Sequence, residues 1–111
     1  MTDPTELLRA ERAATERQLA ALDRTFEDVV ESIEGVGNDD EHDPDGTTIA
    51  FERAQVIALR RQADANLGEI AAAFERVAAG TYGTCEVCDQ PIPPERLDAR
   101  PTTRTCVRCA R

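Results

Sequence analysis

The sequence predicts a mainly α fold: an antiparallel two-helix coiled-coil hairpin with a small C-terminal module built on four cysteines. Three observations carry this. Two stretches of matched length repeat apolar residues at steps of three and four, an acidic stretch separates them, and all four cysteines of the 111-residue chain fall in two C-x-x-C pairs near its end. Aromatic residues are scarce, with three Phe, one Tyr and no Trp, which excludes a deep globular core and favours thin helical seams of Ala, Leu, Val and Ile.

The first helix starts at Asp3-Pro4-Thr5-Glu6, where Asp3 caps, Pro4 takes the first helical position and Glu6 stands three residues after the cap. Its apolar positions are Leu8, Leu19, Leu22, Phe26, Val29 and Ile33, and from Leu19 onward they form a heptad seam. Arg12 and Thr15 occupy the seam between Leu8 and Leu19, which predicts weaker packing there. Gly35 and Gly37 end the helix. The second helix repeats the pattern at Ile49, Val56, Ala63, Leu67, Ile70, Phe74 and Val77, with Arg53 and Arg60 interrupting and Gly80 as the stop. Gly68 inside it costs about 1 kcal/mol relative to Ala.

Leu8 to Ile33 and Ile49 to Phe74 both span 25 steps. A fold near residue 41 therefore pairs Ile33 with Ile49, Phe26 with Val56, Leu19 with Ala63 and Leu8 with Phe74. Each arm is then roughly 40 Å long. Pairing of each helix with another chain is the competing arrangement, and the short connector favours the hairpin. The expected organisation is a hairpin over residues 1–80, its acidic tip at 35–48, and a finger over 81–111.

Charge is distributed unevenly. The net charge is −9, of which −5 falls on residues 35–48 and +1 on residues 81–111. That balance argues against a general binder of phosphate backbones. Glu41, Asp43, Asp45, Gly46 and Glu52 also match positions one, three, five, six and twelve of a calcium loop. Glu41 in place of Asp, the stiff Pro44 and the antiparallel seams count against that reading. His42, the only histidine, reads as a solvated loop residue.

Cys85, Cys88, Cys106 and Cys109 are two C-x-x-C pairs separated by seventeen residues, the spacing of a closed tetrahedral zinc site. The first residues are polar and acidic, without an apolar leader, and no run reaches the length of a membrane span. The chain is thus expected in a reducing cytoplasm, where the thiols are free for a metal rather than for disulfides. No βαβ pattern surrounds either pair to suggest a thioredoxin-like motif. Pro91, Pro93, Pro94 and Pro101 stiffen the connecting loop, and Arg96, Arg100, Arg104, Arg108 and Arg111 lie near the cysteines in sequence.

The string GTYGTCEVC over residues 80–88, with PIPPERLDARPTTRTCVRC up to Cys109, closely resembles the C4 zinc finger of the DksA/TraR family. The likeness extends past the cysteines to Gly80, Tyr82, Gly83, Ile92, Arg96-Leu97 and Ala99-Arg100-Pro101, and covers roughly the last forty residues. Asp89 departs from it, standing where the family usually has Gly. The resemblance implies a non-enzymatic transcription regulator that binds RNA polymerase directly, places its rod in the secondary channel and brings an acidic tip to the active centre. It implies zinc as the metal, no membrane association and no sequence-specific DNA binding. The tip pattern D-x-x-D-x-A falls on His42, Asp45 and Thr47, with Asp43 a neighbouring carboxylate. Because that pattern is altered and no C-terminal helix follows Cys109, the resemblance does not extend to ppGpp dependence or to the direction of the effect. Two other readings compete: an adaptor docking another complex such as the ribosome, and an independent nucleic-acid-binding zinc ribbon using the arginines of residues 96–111.

Overall fold

The computed structural model describes residues 3–35 and 44–110, and side chains over 3–28 and 48–110. Four elements follow in order: α1 (Pro4–Gly35), α2 (Pro44–Ala79), the short α3 (Pro94–Ala99) and one 3-10 turn, Val107–Cys109. The fold is mainly helical, with α1 and α2 packed together and a four-cysteine cluster after them. Among the described residues the only extended pairing is one isolated bridge between Thr84 and Pro91.

α1 begins as its sequence dictates. The Asp3 carboxylate accepts the Thr5 N–H at 3.2 Å, which satisfies one otherwise unpaired donor of the first turn, and the Asp3 carbonyl accepts the Leu7 N–H at 3.0 Å as the first helical bond. α2 starts earlier than the acidic composition suggested. Pro44 stands at its first position, where the fixed φ of proline suits a helix and its missing N–H costs nothing. Asp45, Gly46 and Thr47 are therefore helical, and the connector is shorter than residues 35–48. Positions five to twelve of the calcium loop, Asp45 to Glu52, lie in this continuous helix, so they do not form that loop.

The chain divides into two compact units, one formed by residues 1–14 with 66–111 and the other by residues 15–65. In the first, Leu8, Ile70 and Ala73 are buried between the helices. Glu11 accepts the Asn66 amide N–H at 3.2 Å, and the Arg12 guanidinium lies 5.1 Å from the Phe74 ring centroid. In the second, Thr15, Val56 and Ala63 are buried. Arg60 Nε meets Asp23 Oδ1 at 3.0 Å, and the guanidinium groups of Arg53 and Arg60 each lie 5.8 Å from the Phe26 centroid. These five contacts fall within five residues of the antiparallel register read from the seams.

The two polar seam positions are used differently. Thr15 is buried, and Arg12 stays exposed with its guanidinium over Phe74. Ala73, outside the heptad, is fully buried: a methyl group is small enough to sit where the helices approach closely. Val29 and Ile33 lie outside the residues whose side chains are described.

Candidate metal centre

The metal centre is built outward from the end of α2. Gly80 adopts φ 78°, the left-handed conformation that stops a helix without a Cβ penalty. The Thr81 N–H then donates to the Arg76 carbonyl at 2.9 Å and the Gly80 N–H to the Val77 carbonyl at 3.2 Å, the two bonds of a Schellman motif. The Tyr82 N–H also donates to the Arg76 carbonyl, at 3.1 Å. The chain is thereby turned out of the helix and into the first cysteine pair.

That pair lies on a tight hairpin. Ile92 N–H donates to the Gly83 carbonyl and Cys85 N–H to the Gln90 carbonyl, both at 2.8 Å, around the Thr84–Pro91 bridge. Asp89 N–H donates back to the Cys85 carbonyl at 2.9 Å, and the backbone of Asp89 then turns left-handed at φ 61°. The glycine usual there in the DksA/TraR finger is replaced by a residue that tolerates this conformation at a cost. The second pair sits on the Val107–Cys109 turn, closed by Cys109 N–H donating to the Cys106 carbonyl at 3.1 Å. Glu86 N–H to the Arg104 carbonyl, at 3.0 Å, joins the two knuckles.

The connection between the pairs is not only a stiff loop. Pro94 opens α3, the one helix the sequence reading missed, although a proline followed by Glu95 and an apolar Leu97 is a helix-start signal. α3 sets Leu97 against the cluster formed by Cys85, Ile92 and Cys106. A Cβ on Gly83 would meet Leu97 at 3.6 Å, so that glycine is needed for its φ of 85° rather than for space. The other motif residues each hold a strut. Tyr82 donates its hydroxyl to the Pro101 carbonyl at 2.9 Å, Arg96 Nε donates to the Thr105 carbonyl at 2.8 Å, and Pro101 is buried. Burial raises the Tyr82 pKa, keeping the hydroxyl protonated as a donor.

The four sulfurs converge. One ligand atom from each of Cys85, Cys88, Cys106 and Cys109 lies within 4.8 Å of the others, and Cys88 Sγ and Cys106 Sγ are 3.8 Å apart. Thiolates bound at ~2.3 Å around one tetrahedral zinc are separated by about 3.8 Å, so the arrangement fits Zn²⁺. All four cysteines are free of disulfides, with Cys85 and Cys106 buried and Cys88 and Cys109 half-buried.

Their proton affinities are pulled apart. Backbone N–H groups of Cys106, Cys88 and Val87 bring the Cys85 thiol down to about 6, and the Cys109 backbone lowers Cys106. Cys109 is pushed up to about 12, first by its hydrogen bond with Cys106 and then by burial. Four thiolates cannot coexist this closely without a cation. Zn²⁺, when bound, supplies the charge that deprotonates all four and closes the shell. With four protein ligands no coordination position is left for a substrate, so the site is structural.

The nearby arginines serve the scaffold. Arg104 Nε meets Glu69 Oε2 at 3.0 Å and its NH1 lies 3.7 Å from Glu86, and the Glu69 hydrogen bond raises the Arg104 pKa. Arg76 donates to the Thr102 carbonyl at 3.3 Å. Arg100 and Arg108 are exposed, and Arg111 lies outside the described residues. Among the tip candidates, His42 and Asp43 also lie outside them, while Asp45 and Thr47 are placed by backbone only, in the first turn of α2.

These features define a closed four-cysteine zinc finger following a helical hairpin. Residues 80–111 match the prokaryotic dksA/traR C4-type zinc finger, as the motif string indicated, and that segment belongs to this class. The chain is 52% identical over 46 residues to an uncharacterized protein of Aquifex aeolicus (strain VF5), covering 41% of this chain and 32% of that protein. It is 30% identical over 93 residues to general stress protein 16O of Bacillus subtilis (strain 168), covering 83% and 57%. It thus spans about a third to a little over half of these relatives. Among solved structures, it is similar to transcription factor DksA2 from Pseudomonas aeruginosa, with 25% identity and TM-score 0.55, over 93% of this chain and 79% of that one.

Proposed function

We propose that this protein is a non-enzymatic transcription regulator that binds RNA polymerase directly and inserts the tip of its helical hairpin into the secondary channel to modulate initiation. The observation that carries this reading is the pairing of a dksA/traR finger with likeness to DksA2 along nearly the whole chain. The charge distribution supports it. Residues 35–48 hold −5 of the net −9, so the hairpin turn carries concentrated carboxylate and little that would favour DNA. Asp43 and Asp45, with His42 and Thr47 beside them, act electrostatically near the polymerase active centre. The hairpin of residues 1–80 is the reaching element, and the finger of residues 81–111 anchors its base. The proper setting is the cytoplasm, and no helix among the described residues is long and apolar enough to cross a membrane.

The experiment is affinity capture with purified polymerase, cross-link mapping of the contact, and transcription in vitro. Wild-type protein is expected to capture polymerase and change the yield or lifetime of promoter complexes. The Asp43→Asn/Asp45→Asn double variant is expected to bind still and to lose most of that effect. Capture of another complex, such as the ribosome, without polymerase subunits would establish the adaptor reading instead.

A further inference from the structure

α2 carries a second heptad pattern that the hairpin does not use. Phe51, Ala54, Ala58, Arg61 and Ala65 follow one another at steps of 3, 4, 3 and 4 residues, and all five are exposed. Val56 and Ala63, the buried positions of the same stretch, lie on roughly the opposite side of the helix at ~100° per residue. Phe51 is 73% exposed, more than any other large hydrophobic side chain among the described residues. The solvent face of a hairpin normally carries charge, whereas this one sets a phenylalanine and three alanines around a single arginine.

The pattern is complementary to itself. A knob on one helix seats in a diamond of residues i, i+3, i+4 and i+7 on its neighbour. Inside the chain, the guanidinium groups of Arg53 and Arg60, the two ends of the diamond Arg53-Val56-Ile57-Arg60, lie over the Phe26 ring. The next diamond along α2 is Ala54-Ile57-Ala58-Arg61, which again ends on an arginine; its Ala54, Ala58 and Arg61 are exposed and its Ile57 is half-buried. Among the described residues no guanidinium covers Phe51, while Phe26 has two and Phe74 has one. Two copies of α2 laid antiparallel about Ala54 set Phe51 of each against this second diamond of the other. The two Ala54 methyl groups then meet at the axis, where small side chains permit close approach, and each Arg61 reaches the other copy's Phe51 ring.

We propose that this face is a self-association seam, through which two copies pair antiparallel across α2 with Phe51 as the knob and Ala54, Ile57, Ala58 and Arg61 as the hole. Two Phe51 rings and a few alanines make a small interface, so the dimer is weak and concentration-dependent. The inference is independent of the transcription reading.

Sedimentation velocity of the zinc-loaded chain from micromolar to millimolar concentration tests it, with helix content followed by circular dichroism. The wild type is expected to shift from monomer towards dimer. Phe51→Glu is expected to weaken that shift by more than about tenfold with helix content unchanged, and Val107→Glu, at an exposed apolar position of the finger, to leave it unaltered. A photo-cross-linking residue at Gln55 is expected to join the other copy near residues 50–58. A wild type that stays monomeric, a dimer that survives Phe51→Glu, or cross-links mapping elsewhere would overturn the proposal.

Discussion

The two compact units of the chain use different means to stay folded. The unit of residues 1–14 and 66–111 buries Leu8, Ile70 and Ala73 between helices, encloses Cys85, Ile92 and Cys106, and closes its turns with backbone hydrogen bonds of 2.8–3.4 Å. Among the described residues, the unit of 15–65 buries Thr15, Val56 and Ala63, and two arginine guanidinium groups lie over Phe26. A single cation and a network of struts can hold one unit where apolar area is scarce. The other depends on amphipathic side chains that shield a thin seam while remaining wet.

The largest test of this contrast is the metal. Cys85→Ser, or a strong chelator, removes a contribution that in zinc-finger peptides amounts to roughly 10 kcal/mol or more. Residues 80–110 are expected to lose their dispersed amide signals in NMR spectra while most helical ellipticity remains. Zinc release is expected to become easier as pH falls, because protons compete for the same sulfurs. A finger that keeps its spectrum without metal would dissolve the distinction between the units.

Next in size are the helix cores. Ile70→Ala, at 1% exposure, is expected to cost about 2–5 kcal/mol in chemical denaturation, and Val56→Ala in the thinner seam clearly less, since fewer atoms are lost from a site still 6% exposed. Equal costs would mean that the second unit is better packed than its composition indicates. Smaller gains are expected at two backbone positions. Asp89→Gly relieves the left-handed φ of 61° and is expected to raise stability by about 1 kcal/mol. Gly68→Ala meets nothing within 4 Å in a helix interior and is expected to add a similar amount, read as a higher melting temperature. Smallest is Asp23→Ala, which removes the ion pair with Arg60 and leaves the cover over Phe26. The pair is 40% exposed at Arg60 and 52% at Asp23, so the loss is expected to stay within about 1 kcal/mol.

The helices, their antiparallel register and the four-cysteine cluster were legible because each depends on periodicity or spacing. The heptads at Leu19–Phe26 and Val56–Ile70 leave little choice of face, and two C-x-x-C pairs leave little choice of chemistry. The start of α2 was harder to see, because residues 35–48 were read together as an acidic tip, although proline suits the first position of a helix. α3 was hidden by the density of prolines, which signal both loops and helix starts. Ala73 escaped because its burial follows from how closely two backbones approach, a quantity that apolar spacing does not encode. Sequence placed the arginines near the cysteines but not their partners: Arg96 binds a carbonyl and Arg104 carboxylates, contacts set by tertiary geometry.

Arg76 works at two ends of the base unit at once. Its carbonyl receives the N–H groups of Thr81 and Tyr82, and its guanidinium reaches the Thr102 carbonyl between the cysteine pairs. The stop of the helix and the grip on the finger thus pass through one residue. Fraying of the last turn of α2 and opening of the finger are therefore expected to be coupled through it. The Thr81 and Tyr82 amides are expected to exchange faster when the metal is removed, a gauge of occupancy readable from the helix end.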